Sequence, residues 1–139
     1  MKIGSILENQ KIEKRISITP EIVKKYISLG CEILLSKNYG LHLGIEDEQY
    51  KELGAKIYND ENEILNSSEI IAQVGMLSDD KIINIRENQT LIGLLNVYKN
   101  KEKLQDLAKK KINLFSLELL PRITRAQSMD VLSSQANLA

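Results

Sequence analysis

The sequence predicts an α/β domain: a doubly wound, mostly parallel sheet flanked by helices on both faces. Short apolar runs alternate with amphipathic stretches along the whole chain, which is the order of a βαβα succession. The apolar runs are continuous rather than alternating, as strands covered on both faces require. No Ser/Gly/Pro linker or low-complexity block interrupts them, so the 139 residues read as one domain.

Six runs rich in Ile, Leu or Val supply the strands: Lys2–Leu7, Cys31–Leu35, Ala55–Tyr58, Glu69–Val74, Thr90–Leu95 and Lys111–Leu117. After the first, Thr19 can cap a helix, Pro20 fits its first position, Glu21 meets its positive end and Gly30 closes it. Ile22, Val23, Tyr26 and Ile27 fall on one stripe at helical spacing, which lays this helix against the sheet. Glu46-Asp47-Glu48 opens a short helix that Gly54 stops, and Asp60 caps another running to about Leu65. A longer helix follows Asn100 with Leu104, Leu107 and Ala108 inward. Lys109-Lys110-Lys111 at its negative end reads as a dipole-matched, solvated terminus rather than a binding patch. Right-handed crossovers wind this succession into a Rossmann-like or flavodoxin-like sandwich.

Pro121 stops the last strand, and Thr124-Arg125-Ala126-Gln127 has the form of a capping box for a further helix. Met129, Leu132, Ala136 and Ala139 then recur at intervals of three and four beside a polar stripe of Gln127, Asp130, Ser133, Ser134 and Asn137. This stretch carries no glycine stop and no basic last turn. It reads as a chain cut inside a longer helix, or as a helix fraying at a terminus.

Composition excludes several classes of function. Nineteen basic and nineteen acidic side chains leave no formal charge, so there is no cationic footprint for nucleic acid or anionic lipid. No apolar run reaches the ~20 residues of a membrane span, and the N-terminus lacks a secretory pattern, which places the expected compartment in the cytoplasm. Cys31 has no partner within the chain and opens an apolar strand, where a thiol acts as a small hydrophobe.

The chemical motifs are sparse. There is no G-x-G-x-x-G, no P-loop, no G-x-S-x-G and no metal-spaced Cys/His cluster. The glycines sit singly at helix ends and turns, so nothing cradles a pyrophosphate against a helix. His42, alone in the loop Asn38–Gly44, has no companion at fixed spacing and reads as a loop residue rather than a general base. Arg15 lies in the loop after the first strand, at the end where α/β sheets place ligands; it is either a ligand contact or an exposed loop charge. The densest polar group is Pro121-Arg122-Ile123-Thr124-Arg125-Ala126-Gln127-Ser128-Met129-Asp130. Its guanidinium, amide, carboxylate and hydroxyls can hold a planar carboxamide, or can simply cap a helix with a solvated face.

These residues resemble a known family. Glu13-Lys14-Arg15-Ile16-Ser17-Ile18-Thr19-Pro20-Glu21 is similar to the N-terminal signature shared by alanine dehydrogenases and NAD(P) transhydrogenase α subunits, and Gly44-Ile45 through Tyr50 with Gly54-Ala55 continues the likeness. The segment Pro121 to Asp130, with Leu132 to Ala139, resembles the arginine-alanine-glutamine loop and following helix of transhydrogenase. The resemblance implies that residues 1–125 form a non-Rossmann α/β lobe and that 126–139 begin the long helix leading to an NAD-binding Rossmann domain. NAD(H) would lie between the lobes, with NADP(H) on a partner component. Arg122, Asp130 and Ser133 would orient the nicotinamide and its carboxamide, and Gln127 would reach between the two rings as the residue assisting transfer. The implied reaction is direct hydride transfer between two nicotinamides, coupled in the membrane complex to proton translocation. It needs no metal or acid/base pair from the protein. The implied partners are the rest of the α subunit, the membrane and NADP(H)-binding components and a second copy in a homodimer, with the lobe peripheral to the inner membrane and silent alone.

Two departures separate the chain from the sister enzyme. The lysine and histidine that alanine dehydrogenases place around their substrate fall here on Gly75 and Asn96, although Arg15 matches their arginine. The loop Asn38–Gly44 is also poorer in small residues than the family pattern. An amino-acid dehydrogenase domain, and an interaction domain pairing through Met129–Ala139, stand as the alternatives.

Overall fold

The computed structural model describes residues 1–119, so Arg122, Gln127, Asp130, Ser133 and the predicted C-terminal helix lie outside the described residues. The strands are β1 Lys2–Ser5, β2 Glu32–Ser36, β3 Lys56–Tyr58, β4 Ile70–Ala72, β5 Thr90–Gly93 and β6 Asn113–Ser116. They form one six-stranded sheet in the order β3-β2-β1-β4-β5-β6, and every pairing is parallel. That is the Rossmann order rather than the flavodoxin one. The term non-Rossmann therefore describes only the missing glycine loop, not the topology.

The register puts Ile3 beside Ile33 and Ile70, and Ile71 beside Leu91. Each predicted strand is present; five are shorter than their apolar runs, while β2 is as long as its run but shifted by one residue, ending at Ser36 rather than Leu35. At β1 the reason is visible: the backbone beyond Ser5 leaves the ladder and bonds to side chains, Ile6 N–H donating to Gln73 Oε1 at 2.8 Å.

The helices are α1 Pro20–Ser28, α2 Asp47–Glu52, α3 Glu61–Ser67, α4 Asp79–Ile82 and α5 Lys101–Lys109. Thr19 caps α1, its Oγ1 accepting from Ile22 N–H at 3.4 Å, and Gly30 follows in the left-handed conformation at φ 89°. Asp60 caps α3, its Oδ1 accepting from Asn62 N–H at 3.0 Å. At α2 it is Gln49 that closes the start, its Oε1 accepting from Glu46 N–H at 2.8 Å. In α5, Leu104 and Leu107 are buried as expected, but Ala108 is exposed, because the stripe is only two residues wide. Asn100 precedes that helix without capping it; its side-chain amide donates to Leu95 O at 2.7 Å. The four-residue α4 and the 3-10 turn Leu41–Leu43 have too few residues to show a helical period, and the sequence leaves both as loop.

Alternate residues of each strand feed opposite faces. Leu34 packs with Ile64 and Leu65 of α3 and with Leu104 and Leu107 of α5. Its neighbours Ile33 and Leu35 pack on the other face with Val23 of α1 and Tyr50 of α2. Helices thus cover both faces, as the continuous apolar runs demand. Gly4 lets α3 approach β1 closely: a Cβ there would overlap the Ser68 hydroxyl and lie 2.8 Å from Ile64 Cγ2.

Candidate functional site

The strand order reverses between β1 and β4, and the crevice beyond their carboxyl ends is where open α/β sheets bind ligands. Here the chain leaves β1 through Ile6-Leu7-Glu8 and leaves β4 through Gln73-Val74-Gly75. A buried polar network joins the two exits. Gln73 Oε1 accepts from Ile6 N–H, and Gln73 Nε2 donates to Ile6 O and to Glu8 Oε2, each at 3.1 Å. The Glu8 carboxylate also accepts from Val74 N–H at 2.7 Å and from Gly75 N–H at 3.1 Å. Burial pushes the Glu8 carboxyl up to about 7 against the lowering pull of those two N–H groups; Glu13 adds to the rise and Arg15 offsets part of it.

The loop after β1 is tied down by two tyrosines. Tyr39 is fully buried, and its hydroxyl accepts from Ser17 N–H and Ile18 N–H, each at 3.2 Å, and meets Ser5 Oγ at 2.8 Å. Ser5 Oγ donates in turn to Ala72 O at 2.5 Å, which assigns the Tyr39 proton to Ser5. Burial pushes this phenol up to about 12. Tyr50 stacks edge-on against Tyr39 with ring centroids 6.0 Å apart and donates its hydroxyl to Ile18 O at 2.8 Å. Both phenols hold backbone, not ligand.

Arg15 is engaged by its neighbour. Its Nη2 and Nε donate to the two Glu13 carboxylate oxygens, each at 2.7 Å, and this bidentate pair holds the Glu13 carboxyl below the usual carboxylate range. His42 is a loop tie, as the sequence suggests: its Nε2 bonds Lys14 O at 2.8 Å and its Nδ1 takes Gln10 Nε2 at 3.1 Å. Cys31 is half-buried against the α1 face, a small apolar residue there.

Between the strand ends and α5 lies a cavity of about 670 Å³. Its walls include the apolar Met76, Leu77 and Leu94, together with Glu8, Gly75 and Asn96. The volume is within the ~300–1,000 Å³ range of cofactor sites. Glu61, Lys81, Lys99 and Lys103 also line the cavity, so it offers apolar, amide and charged contacts together. Gly75 and Asn96 therefore share one crevice, supplying neither ammonium nor imidazole to it. Glu8 and Gln73 are the site residues that the sequence reading missed. A glutamine closing an apolar strand, as Gln73 does, is the signal that could have found one of them. Among the described residues no group of three His, Cys, Asp or Glu could hold a metal ion, and no helix is long and apolar enough to cross a membrane.

Fold and crevice together define a doubly wound α/β lobe whose ligand side is the β1/β4 switch point. The family described as alanine dehydrogenase/PNT, N-terminal domain, matches residues 5–139, and the chain belongs to it. It is 39% identical to the first part of NAD(P) transhydrogenase subunit alpha of Rickettsia prowazekii over 99% of its length, and 36% identical to that of Rhodospirillum rubrum over all of it. The transhydrogenase structure from Sinorhizobium meliloti superposes with a TM-score of 0.88 at 35% identity, over 99% of this chain and 41% of that one. The chain spans 37% and 38% of the length of the two curated relatives.

Proposed function

We propose that the chain supplies the first lobe of the NAD(H)-binding component of an NAD(P) transhydrogenase and takes part in direct hydride transfer between NAD(H) and NADP(H). The observation that carries this reading is the 39% identity to a transhydrogenase alpha subunit over 99% of the chain. The switch-point cavity supports it, since it has room for a nicotinamide ring. When bound, the two nicotinamides supply the hydride donor and acceptor themselves, and the protein's task is to set ring distance and angle. In this proposal Arg122, Asp130 and Ser133 hold the ring and its carboxamide, and Gln127 reaches between the NAD(H) and NADP(H) rings. Residues 1–125 form the lobe, and 126–139 lead toward an NAD-binding Rossmann domain. The remaining partners are the membrane and NADP(H)-binding components and a second α subunit, which places the lobe on the cytoplasmic side of the membrane complex. Alanine oxidation is not proposed, because Gly75 and Asn96 in the crevice supply neither the lysine nor the histidine that the resemblance assigns to the sister enzyme.

The test is Gln127→Asn in the complete enzyme. A ring displaced by ~1 Å costs about 10²-fold in rate, so hydride transfer should fall by one to two orders of magnitude while NADH affinity changes little. An unchanged rate removes the role of Gln127. Amino-acid-dependent NADH formation by the full-length protein would overturn the reading as a whole.

A further inference from the structure

The two exits that frame the crevice are joined by backbone over a short stretch. β1 and β4 pair as Ile3 with Ile70 and Gly4 with Ile71, and there the register ends. Beyond it a side chain bridges the gap. Gln73 meets the Ile6 backbone with both of its polar atoms, Oε1 accepting from Ile6 N–H at 2.8 Å and Nε2 donating to Ile6 O at 3.1 Å. A neighbouring strand would have satisfied these two groups; here one amide does so. The second Nε2 proton goes to Glu8 Oε2 at 3.1 Å, so both donors and the oxygen are engaged. The amide has one orientation, since turning it over sets N–H against N–H and oxygen against oxygen. At its other end Gln73 cannot give way. Its backbone N–H donates to Ile92 O at 2.9 Å, and a Cβ on Gly93 of β5 would lie 2.6 Å from Gln73 O. With its backbone fixed to β5 and its amide fixed to the β1 exit, the length of this buried side chain sets how far apart the two exits stand.

We infer that Gln73 is a positioning residue: its side chain is the spacer that sets the width of the crevice floor, and through it the placement of a ligand between the two exits. Ile6 on one exit and Gly75 on the other both line the cavity, so a change in their separation reaches the ligand space directly. Other residue types fail in different ways. Asparagine keeps the amide but is one methylene short, and methionine keeps the length but has no polar group for Ile6. An ionised glutamate has no donor for Ile6 O and sets a second carboxylate against Glu8. Glutamine alone combines the reach with the donor and acceptor pair. Its consequence for hydride transfer rests on the transhydrogenase reading, whereas the spacer rests on geometry. Misplacing a ring by ~1 Å costs about 10²-fold in rate, while affinity is spread over many contacts, so Gln73 should act on kcat rather than on KM.

The experiment compares Gln73→Asn and Gln73→Met with Val23→Ala, a buried residue of α1 that does not line the cavity, in the complete enzyme at a temperature where all are folded. Both Gln73 variants should lower kcat for hydride transfer about 10- to 100-fold, with the KM for NADH within about threefold of wild type. They should also raise the primary isotope effect with deuterated NADH, because the transfer itself becomes the slow step. Val23→Ala, which only destabilises, should change none of the three. In the 139-residue chain Gln73→Asn should shift the amide resonances of Ile6 and Gly75, one on each exit, and Val23→Ala should shift neither. If the Gln73 variants do not fold, Gly93→Ala, which presses on Gln73 O from β5 and keeps its amide, should give the same fall in kcat and the same shifts. A wild-type kcat, a loss confined to KM, or unmoved Ile6 and Gly75 amides would overturn the spacer. A wild-type enzyme with no hydride transfer from NADH to NADP⁺ would overturn the transhydrogenase reading instead, and the amide shifts would then decide the spacer by themselves.

Discussion

Tyr39 and Glu8 show how single side chains fix the crevice. The Tyr39 hydroxyl serves two buried N–H groups and one buried serine, so Tyr39→Phe leaves Ser17 and Ile18 donors without a partner. The expected loss is about 1–3 kcal/mol, measured by urea unfolding, with an unchanged m-value. Glu8 makes a pH prediction of opposite kind to that of a salt-bridged carboxylate. Its folded pKa, about 7, lies above the ordinary value of 4.5, so the folded state holds the proton more tightly than the unfolded chain. Its contribution is fully present below the unfolded pKa and is lost as pH rises through 7. Relative to Glu8→Gln, the wild-type chain should therefore lose on the order of 2–3 kcal/mol between pH 4.5 and pH 8. A flat difference across that window would mean that the carboxyl is not held in the buried seat.

At the scale of elements, the helix signals written locally are the ones the structure keeps. Thr19, Asp60 and Gly30 act where the sequence places them, because capping depends on residues three or four apart. Thr19→Ala should cost about 0.5–1 kcal/mol, since the 3.4 Å bond to Ile22 N–H is a long one. Gly4 depends on a contact 64 residues away in the chain, that of β1 with Ser68 at the end of α3. Gly4→Ala drives a methyl group into α3 and should cost about 1–3 kcal/mol by overpacking, read as a lower urea midpoint. Strand ends were the hardest to read. The run Lys2–Leu7 continues in apolar residues past Ser5, but its backbone groups there go to Gln73 and Ser36 side chains instead of a neighbouring strand.

Across the whole molecule, one sheet separates two apolar layers that share strands but not helices. Val23 of α1 lies in one layer and Leu107 of α5 in the other, both almost wholly buried. Val23→Ala and Leu107→Ala should each destabilise the fold by about 1–4 kcal/mol, and their effects should add to within ~0.5 kcal/mol because they share no partner. Unfolding should stay a single transition in both, since the strands between the layers serve both. Two separate transitions in the double variant would show that the layers fold independently.

The sequence by itself determined the α/β class, the six strands, four of the five helices, both covered faces and the family likeness, since all of these rest on local periodicity, caps and motifs. Only the tertiary structure decided the strand order, the switch point and the crevice it opens. Glu8 and Gln73 are 65 residues apart in sequence and meet only because β1 and β4 lie side by side. Arg15 was legible as a charge on the ligand side, but its capture by Glu13 is a matter of loop geometry, as is the bond from His42 to Lys14 O. A pairing between strands carries no local signature, because its hydrogen bonds are made by backbone that every sequence shares. The polar chemistry at strand ends inherits that silence.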